Sequence, residues 1–552
     1  MFRVQPLRVG TCVTLALSAA IALGPFRAGT AEAAAILTSQ VPQDVANHSA
    51  ARVSTPDPSR ELRLAIALPM RHRAELEQLV HDIYDPSSRE YRHYLSVAEF
   101  TARFGPTQAD YAKALEYFST HGLAITGTAA NRYLIESTAS VATLERMLHV
   151  KFGLYRRAGE GRRFIAPDRE PSLDLSVPIL RIIGLDDANP PTNRLAQRKI
   201  DATTQSPVNG SGPNGWYLGS DIRLAYYGIF LTDGKDQSVG LMELGPYDPQ
   251  GVQTYFENFG PPLTTAVVPI STDGSPATCS RTCNDAEQDL DIEYAVSMAP
   301  GLAQVQVYVA RSPASVLNRM ATDNTSAQLS TSWGWSHRER PVDEPLFLEM
   351  AVQGQTLLTA SGDYSSLRAS GPWPEESAYI TSVGGTDLLT SSPGGPWLSE
   401  TAWSGSAGGP SLDKTIKIPA YQAPFINDQN QGSHEVRNVP DIAGDANTVN
   451  YICYSRGCSG GNGGTSFASP IWAGFIALAN QRAAHYGYGR IGFLNPLLYG
   501  MARKPSADYI YHDIVSGTSG KYTAVPSYDL VTGFGSPQGF AFIEKLIQAA
   551  NP

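Results

Sequence analysis

The stretch Gly463–Ala484, "GGTSFASPIWAGFIALANQRAA", joins a glycine-rich turn to a long apolar segment. From Thr465 onward the segment has the length and composition of a buried helix. A helix that begins in such a turn presents free backbone N–H groups and a positive dipole end. Ser466 stands at that point, where those donors would suit a serine nucleophile and the oxyanion it generates. The alternative is that Thr465 or Ser466 only caps the helix.

Strands and helices alternate around this helix throughout the C-terminal part of the chain. "QSVGLMEL" (Gln237–Leu244) and "QTLLTASGD" (Gln355–Asp363) are predicted strands, as is "AQLSTSWG" at 327–334, and Pro249–Gly260 and Glu344–Gly354 are predicted helices. This alternation predicts a doubly wound α/β domain with a mainly parallel sheet. Ligands of such sheets lie beyond the carboxyl ends of the strands.

The chain before this domain divides into three predicted segments. Residues 1–35 combine Arg3 and Arg8 with a short apolar run and small residues, which is typical of a secretory signal, with an uncleaved anchor as the alternative. Residues 36–197 predict an α+β domain. Residues 198–215 are polar and rich in Gly, Pro and Ser, which predicts an exposed linker with a processing site. The C-terminal domain spans 216–552.

The charge of the chain is uneven. Residues 36–205 hold 21 basic and 20 acidic residues, whereas residues 206–552 hold 18 basic and 31 acidic residues. An acidic domain without basic patches argues against nucleic acid as a partner. No apolar run after the signal is long enough to span a membrane, so we expect a secreted, extracellular monomer.

Four cysteines follow the signal, in two close pairs, Cys279 with Cys283 and Cys453 with Cys458. An even number in an exported chain favours disulfides. Local pairing is the simplest of three connectivities, and a four-cysteine zinc site is the alternative.

A serine nucleophile needs a base, and no histidine stands in a context typical of one. The four histidines of the C-terminal domain are better interpreted as structural; they are His337, His434, His485 and His512. Glu287 and Asp291, four residues apart on a predicted helix, would share one face, so that the pair resists full ionisation and can supply a carboxylate base. The alternative is a solvated acidic helix face. Asp363 directly follows a strand and, when protonated, could donate a hydrogen bond to an oxyanion.

Together these residues resemble one family, the sedolisins or serine-carboxyl peptidases. Its marks are present in order: the Glu287–Asp291 pair, "SGD" at 361–363 and "GGTS" at 463–466. The region before the linker, including "DPSSREYRHYLSVAEFTARFGPT" (Asp85–Thr107), is similar to the family's prosegment. The resemblance implies a subtilisin-like catalytic domain after a ferredoxin-like prodomain. It implies that Ser466 is the nucleophile, that Glu287 is its base, that Asp291 orients Glu287, and that Asp363 lines the oxyanion hole.

The same resemblance implies one Ca²⁺ ion near the C-terminus. The matching ligands are the carboxylates of two aspartates and three backbone carbonyls: Asp513, Ile514, Val525, Ser527 and Asp529. All are oxygen ligands, which Ca²⁺ prefers. The family usually has glycine where Val525 and Ser527 stand, which puts the conformation of that loop in doubt.

The resemblance therefore implies a secreted, acid-acting endopeptidase that cleaves proteins or peptides and is made as a zymogen, with its own prosegment as intramolecular inhibitor. We expect self-cleavage between Ile200 and Gly212. A tripeptidyl-peptidase of the same family, an inactive binding protein on this fold, and a histidine-dependent subtilisin are the alternatives.

Overall fold

The computed structural model describes residues 35–197, 209–279, 283–367, 372–504 and 510–552. Residues 1–34 of the expected signal and residues 198–208 of the expected linker, with much of the expected cleavage region 200–212, lie outside the described residues. In the described part of the chain, no helix has the length and apolarity needed to cross a membrane.

The N-terminal domain is built on a four-stranded antiparallel sheet with βαββαβ chain order, as expected for a ferredoxin-like prodomain. In space its strands run Ala124–Thr128, Leu134–Ser140, Glu61–Ala67 and Arg181–Ile183. A three-stranded antiparallel sheet extends the domain: Ala50–Ser54, Phe152–Arg157 and Phe164–Pro167. Its helices are Gln43–Ala46, Arg73–Tyr84, Val97–Arg103, Gln108–Thr120 and Val141–Leu148.

The helix Gln108–Thr120 begins directly after a capping threonine. The Thr107 side chain accepts a hydrogen bond from the backbone N–H of Asp110 at 3.0 Å and so caps the helix. Its apolar positions Tyr111, Ala114 and Phe118 recur at helical spacing and are buried in the domain core. This face holds the helix against the sheet.

The C-terminal domain has one large, mainly parallel sheet, as the alternation of apolar strands and helices predicts. Its strands run in space Ala266–Ser271, Gln304–Val309, Ser238–Glu243, Gln328–Thr331, Thr356–Ala360 and Thr381–Thr390. Thr381–Thr390 also pairs with the parallel strand Ile442–Asp445 and the antiparallel strand Trp397–Ala402. The predicted strand 327–334 is interrupted: Gln328–Thr331 stays in the sheet, and Trp333–Ser336 leaves it to pair elsewhere.

Helices surround this sheet. They are Gly219–Tyr226, Pro249–Asn258, Ala286–Met298, Pro313–Asp323, Arg340–Val352, Thr465–His485, Asn495–Ala502 and Gly539–Ala550. Two of them are central to the site, Ala286–Met298 (the acidic helix) and Thr465–His485 (the nucleophile helix). They pack against each other through Tyr294 and Phe467, whose rings meet edge to face at 4.6 Å.

Short strands complete the fold. They are Ala35–Ile36 with Ser172–Leu173, Gly409–Pro410 with Asn438–Val439, Tyr511–His512 with Ser536–Pro537, Pro372–Trp373 with Trp333–Ser336, and Asn450–Tyr454 with Gly457–Gly463. The last pair contains the disulfide Cys453–Cys458, and the other disulfide joins Cys279 and Cys283. Both pairings are local, so no thiolate is left for the zinc site that was the alternative.

The end of the N-terminal domain crosses the C-terminal domain as an extended segment. Thr192–Asn193 pairs antiparallel with Trp333–Ser336, and Ala196–Gln197 pairs antiparallel with Gly457–Gly463. Residues 192–197 (the crossing segment) therefore lie between two strands of the other domain, directly before the nucleophile helix. This path determines what occupies the candidate site.

Candidate active site

Ser466 lies at the second position of the nucleophile helix, which begins at Thr465. Gly464 occupies the capping position, and no side chain makes a capping hydrogen bond there. Ser466 is completely buried, and its hydroxyl has no hydrogen-bond partner among the described residues. The interpretation of Thr465 or Ser466 as a capping residue is therefore wrong.

The acidic helix is buried along its whole length, so the interpretation as a solvated acidic face is also wrong. Glu287 is 1% exposed and Asp291 is not exposed at all. They are one turn apart on the same face. Burial raises the pKa of both well above the usual carboxyl range, and each is raised further by neighbouring carboxyl groups. Such a pair holds at least one proton in the acid range.

Glu287 lies beside Ser466. Burial raises the pKa of Glu287, and the neighbouring Ser466 hydroxyl opposes that rise. Neither Ser466 Oγ nor the two carboxyl oxygens of Glu287 form a hydrogen bond with any described residue. Among the described residues no imidazole hydrogen-bonds to the Ser466 hydroxyl.

Sequence reasoning missed a third carboxyl group in this cluster, Glu243. It ends the strand Ser238–Glu243, is completely buried and accepts a 2.9 Å hydrogen bond from Trp333 Nε1. Burial raises its pKa to about 7, and Asp291 opposes the rise, whereas Glu243 raises the pKa of Asp291. The two carboxyl groups therefore titrate as a pair. The position of Glu243 at the carboxyl end of a parallel strand was the signal that could have found it.

Asp291 is also held by Ser332. The Ser332 hydroxyl lies 2.8 Å from Asp291 Oδ1 and 3.2 Å from the Ser466 carbonyl oxygen, so it can donate to either. Ser332 is buried between the two helices. It therefore ties the carboxyl cluster to the first turn of the nucleophile helix.

Asp363 lies on the other side of Ser466, after the strand Thr356–Ala360. Its Oδ1 accepts hydrogen bonds from the backbone N–H of Thr465 at 2.9 Å and from the Thr465 hydroxyl at 2.8 Å. Burial raises its pKa to about 6, and Arg194 together with the Thr465 donors opposes that rise. Below about pH 6 this carboxyl group therefore carries a proton and becomes a hydrogen-bond donor.

Gly464 is the point at which these groups converge. Its φ of +109° belongs to the region that favours glycine. A Cβ atom there would clash with the carbonyl oxygen of Arg194 and lie 2.5 Å from Asp363 Oδ2. The Arg194 carbonyl oxygen and Asp363 Oδ2 therefore both lie next to Gly464.

The backbone of Arg194 spans the candidate site and forms a hydrogen bond on each side. Its N–H donates to the Ser332 carbonyl at 3.0 Å, and its carbonyl oxygen accepts from the Ser466 N–H at 3.4 Å. With the antiparallel pairings on both sides, the backbone of the crossing segment has the geometry of a bound peptide whose carbonyl faces the nucleophile.

The candidate calcium ligands come together in one loop region. The backbone N–H of Ser527 donates to Asp513 Oδ2 at 2.8 Å, and that of Val525 lies 3.3 Å from Asp529 Oδ2. Asp529 is buried and Asp513 is exposed, while Ile514 lies next to Asp513 in the chain. Ser527 has a φ of +68°, which explains why glycine is usual there. Two carboxylates and neighbouring carbonyls fit the oxygen chemistry of Ca²⁺.

Comparisons with known proteins agree with this architecture. Residues 48–187 match the family model described as pro-kumamolisin, activation domain. Kumamolisin of Bacillus sp. (strain MN-32) is 29% identical over 501 residues, covering 83% of this chain and 87% of its own length. A probable tripeptidyl-peptidase SED4 of Arthroderma benhamiae is 22% identical, covering 89% of this chain and 92% of its own.

Among solved structures, Pseudomonas sedolisin, a serine-carboxyl proteinase complexed with pseudo-iodotyrostatin, superposes with a TM-score of 0.51 at 24% identity. The alignment covers 60% of this chain and 96% of that one, which supports the subtilisin-like fold of the C-terminal domain. The match to the activation domain, the relatives that align along most of the chain and the sedolisin motifs in order together support a serine-type peptidase proenzyme that is similar to the sedolisins.

Proposed function

We propose that this protein is a secreted, acid-acting endopeptidase, made as a zymogen, with Ser466 as nucleophile and Glu287 as general base. Ser466 Oγ adds to the substrate carbonyl carbon while its proton passes to Glu287. The C–N bond then breaks, and Glu287 returns the proton to the leaving amine. Water hydrolyses the acyl-enzyme by the same route, which restores Ser466.

Asp291 and Asp363 have supporting roles in this proposal. Asp291 carries a proton within the carboxyl cluster and orients Glu287, with which it shares one negative charge. Asp363, neutral below about pH 6, donates to the oxyanion together with the Ser466 N–H. Activity should therefore fall as the pH rises through about 6, because Asp363 loses its proton, and it should also fall when Glu287 gains a proton.

The single observation that carries the proposal is the Ser466 N–H hydrogen bond to the Arg194 carbonyl. It supports both a competent oxyanion site and inhibition by the chain's own prosegment, which fills the cleft. The segment continues upstream through Pro191 and Pro190 into the N-terminal domain. Because more than three residues precede Arg194, this favours endopeptidase over tripeptidyl-peptidase activity.

A bound calcium ion would neutralise the negative charge of the two aspartates and stabilise the C-terminal loop. Its ligands would be Asp513, Ile514, Val525, Ser527 and Asp529. Asp529 is buried without a described cationic side chain beside it, which supports a cation there. The domain boundaries at 35, 197 and 215, export and the monomeric state remain part of the proposal.

The test is acid activation followed by proteolysis. We expect the purified proenzyme, incubated at about pH 4, to cleave denatured casein and to lose this activity in Ser466→Ala and Glu287→Gln by about a thousandfold or more. Asp289→Asn is the matched control, since Asp289 is a buried carboxyl group on the same helix whose pKa is also raised by burial. Its neutral form in acid resembles asparagine, so this variant should stay active.

Other outcomes would favour the alternatives. Full activity of Glu287→Gln with a neutral optimum would indicate a histidine-dependent enzyme. Absence of any cleavage that depends on Ser466 would indicate an inactive binding protein. Peptides with an acetylated N-terminus separate the two peptidase types, because an endopeptidase cleaves them and a tripeptidyl-peptidase, which needs a free amine, does not.

A further inference from the structure

Arg194 is the one cationic residue of the crossing segment, and its side chain is deeply buried. It is 1% exposed, although it is an arginine in a segment that crosses from one domain to the other. Desolvation lowers its pKa, and the carboxyl groups of Glu375, Asp363 and Glu287 oppose this. A charge so buried needs a dedicated partner.

That partner is Glu375. Arg194 Nη2 lies 3.6 Å from Glu375 Oε1, and neither side chain is exposed to solvent. No hydrogen bond to the Glu375 carboxylate from any described residue is formed in this structure. Burial raises the pKa of Glu375 to about 8, and Arg194 is the group that opposes this most. The Arg194 guanidinium is therefore the charged partner that faces Glu375 in this structure.

The walls around the guanidinium suit an arginine in particular. The Tyr364 ring lies under it, 4.9 Å from the guanidinium carbon to the ring centroid. Tyr364 directly follows Asp363, and Glu375 follows Trp373 and Pro374 in the chain. Both residues lie in the connection between the strands Thr356–Ala360 and Thr381–Thr390, so the pocket is formed by this one connection, beside the oxyanion site.

Resting on the proposed function, we propose that Glu375 and Tyr364 form the specificity pocket for the residue before the cleaved bond, and that this pocket selects arginine. Arg194 is then the first substrate residue of the enzyme, and the bond between Arg194 and Leu195 is the first one cut. A lysine would keep the charge but lose the planar stacking on Tyr364, so it should be accepted less well.

The cleavage step balances without any further reagent. Ser466 Oγ bonds to the Arg194 carbonyl carbon, the C–N bond to Leu195 breaks, and the proton taken by Glu287 moves to the Leu195 nitrogen. Water then releases Arg194 with a free carboxylate. The mature chain would begin at Leu195, upstream of the cut expected between Ile200 and Gly212.

The first experiment identifies the earliest cut. We expect the full-length proenzyme, acidified and sampled over time, to give Leu195 as its earliest new N-terminus by sequencing. Arg194→Ala should slow that cut by about 30-fold or more, because Glu375 loses its partner. Arg169→Ala, an exposed arginine paired only with Asp168 in the same domain, should cleave like wild type. An earliest N-terminus anywhere else, including 200–212, overturns this assignment.

The second experiment measures selectivity of the activated wild-type enzyme, without any mutation. Peptides of the form Pro-Thr-Asn-Xaa-Leu-Ala, blocked at both ends, carry arginine, its neutral isostere citrulline, or leucine at Xaa. We expect kcat/KM for arginine to exceed that for citrulline by about 30-fold or more. Equal rates for arginine and citrulline overturn the pocket assignment.

Variants then assign the selectivity to a residue. Glu375→Ala, which removes the acceptor oxygens in either protonation state, should reduce the arginine-to-citrulline ratio to near one, whereas Glu376→Gln, a buried neighbour bound to Ser411, should keep it. An unchanged ratio in Glu375→Ala contradicts the proposal. An enzyme that cleaves casein but shows no arginine preference refutes only this inference, whereas a protein that cleaves nothing refutes the proposed function.

Discussion

Several positions in this site have steric or electrostatic requirements that the residue present meets. Gly464 must combine a φ of +109° with the close approach of a substrate carbonyl. Ser466 must stand in the first turn with its N–H free to meet that carbonyl. Glu287 must be buried enough to be a stronger base than an ordinary glutamate while still reaching the hydroxyl. Each requirement is steric or electrostatic and acts between atoms in direct contact.

Gly464→Ala tests the steric requirement. The added methyl group would collide with the Arg194 carbonyl position and adopt a backbone region that costs about 1–2 kcal/mol. We expect the activated variant to lose most of its kcat/KM on casein-derived peptides, since every substrate carbonyl must pass the same point. Gly487→Ala is a control at positive φ with open space around it. Equal activity of both variants would contradict this interpretation of the site.

At the scale of elements, the acidic helix and the strand ends bring carboxyl groups together. Glu243 ends one parallel strand, Asp363 follows another, and the acidic helix supplies Glu287 and Asp291. Because each group is buried, the ionisation of each opposes that of its neighbours. The cluster therefore titrates as a unit, and its members set one another's pKa.

Glu243→Gln should shift the pH profile. The Glu243 carboxyl group raises the pKa of Glu287, so its removal lowers that pKa, and Glu287 stays ionised to lower pH. We expect the acid limb of kcat/KM to move to lower pH, with a lower maximum because the base is weaker. The pH profile of Glu376→Gln is the control. An acid limb identical to that of wild type would show that Glu243 does not act on Glu287.

The C-terminal loop should depend on calcium. If Asp513 and Asp529 bind the ion, saturation at 100 times Kd adds about 2.7 kcal/mol of stability. We expect the Tm in CaCl₂ to exceed that in EGTA, and Asp513→Asn to abolish the difference. Asp428→Asn, an exposed aspartate in another loop, should retain it. A Tm that does not respond to calcium in wild type would remove the ion from the proposal.

At the scale of the whole molecule, the N-terminal domain is held by polar contacts that differ in their response to acid. Arg73 pairs with Glu344 at 2.8 Å and Arg181 with Glu339 at 3.1 Å across the interface. Both pairs depend on the negative charge of the carboxylate. The contact of Asn131 with Glu349 behaves differently, since burial raises the pKa of Glu349 to about 8 and this group is already neutral in acid.

Arg73→Ala should therefore ease activation. Loss of one partly buried interdomain pair weakens the complex by about 1 kcal/mol, so that less acid is needed to release the domain. We expect half-maximal conversion of the proenzyme at a higher pH than in wild type, measured by gel after incubation over a pH series. Arg103→Ala, whose partner Glu75 lies in the same domain, is the control. Activation at the same pH in both variants would contradict this role of the interface.

Local physics made several features predictable from the chain alone. The Glu287–Asp291 spacing needs only a helix to place both groups on one face, and Thr107, Gly464 and the apolar periods mark element ends. The parallel sheet followed from alternating elements, and the comparisons support the family that the motifs indicated. The roles of the catalytic and calcium residues stay predictions until the variants are measured.

Other features arise only when distant parts of the chain meet. Glu243 joins the cluster across the sheet, and Arg194 meets Glu375 although 180 residues lie between them in the sequence. No spacing rule connects such positions, because their proximity depends on strand order and on the path of the crossing segment. Motif spacing is set by bonds within one helix or turn, whereas the contents of the cleft are set by the free energy of packing two domains together.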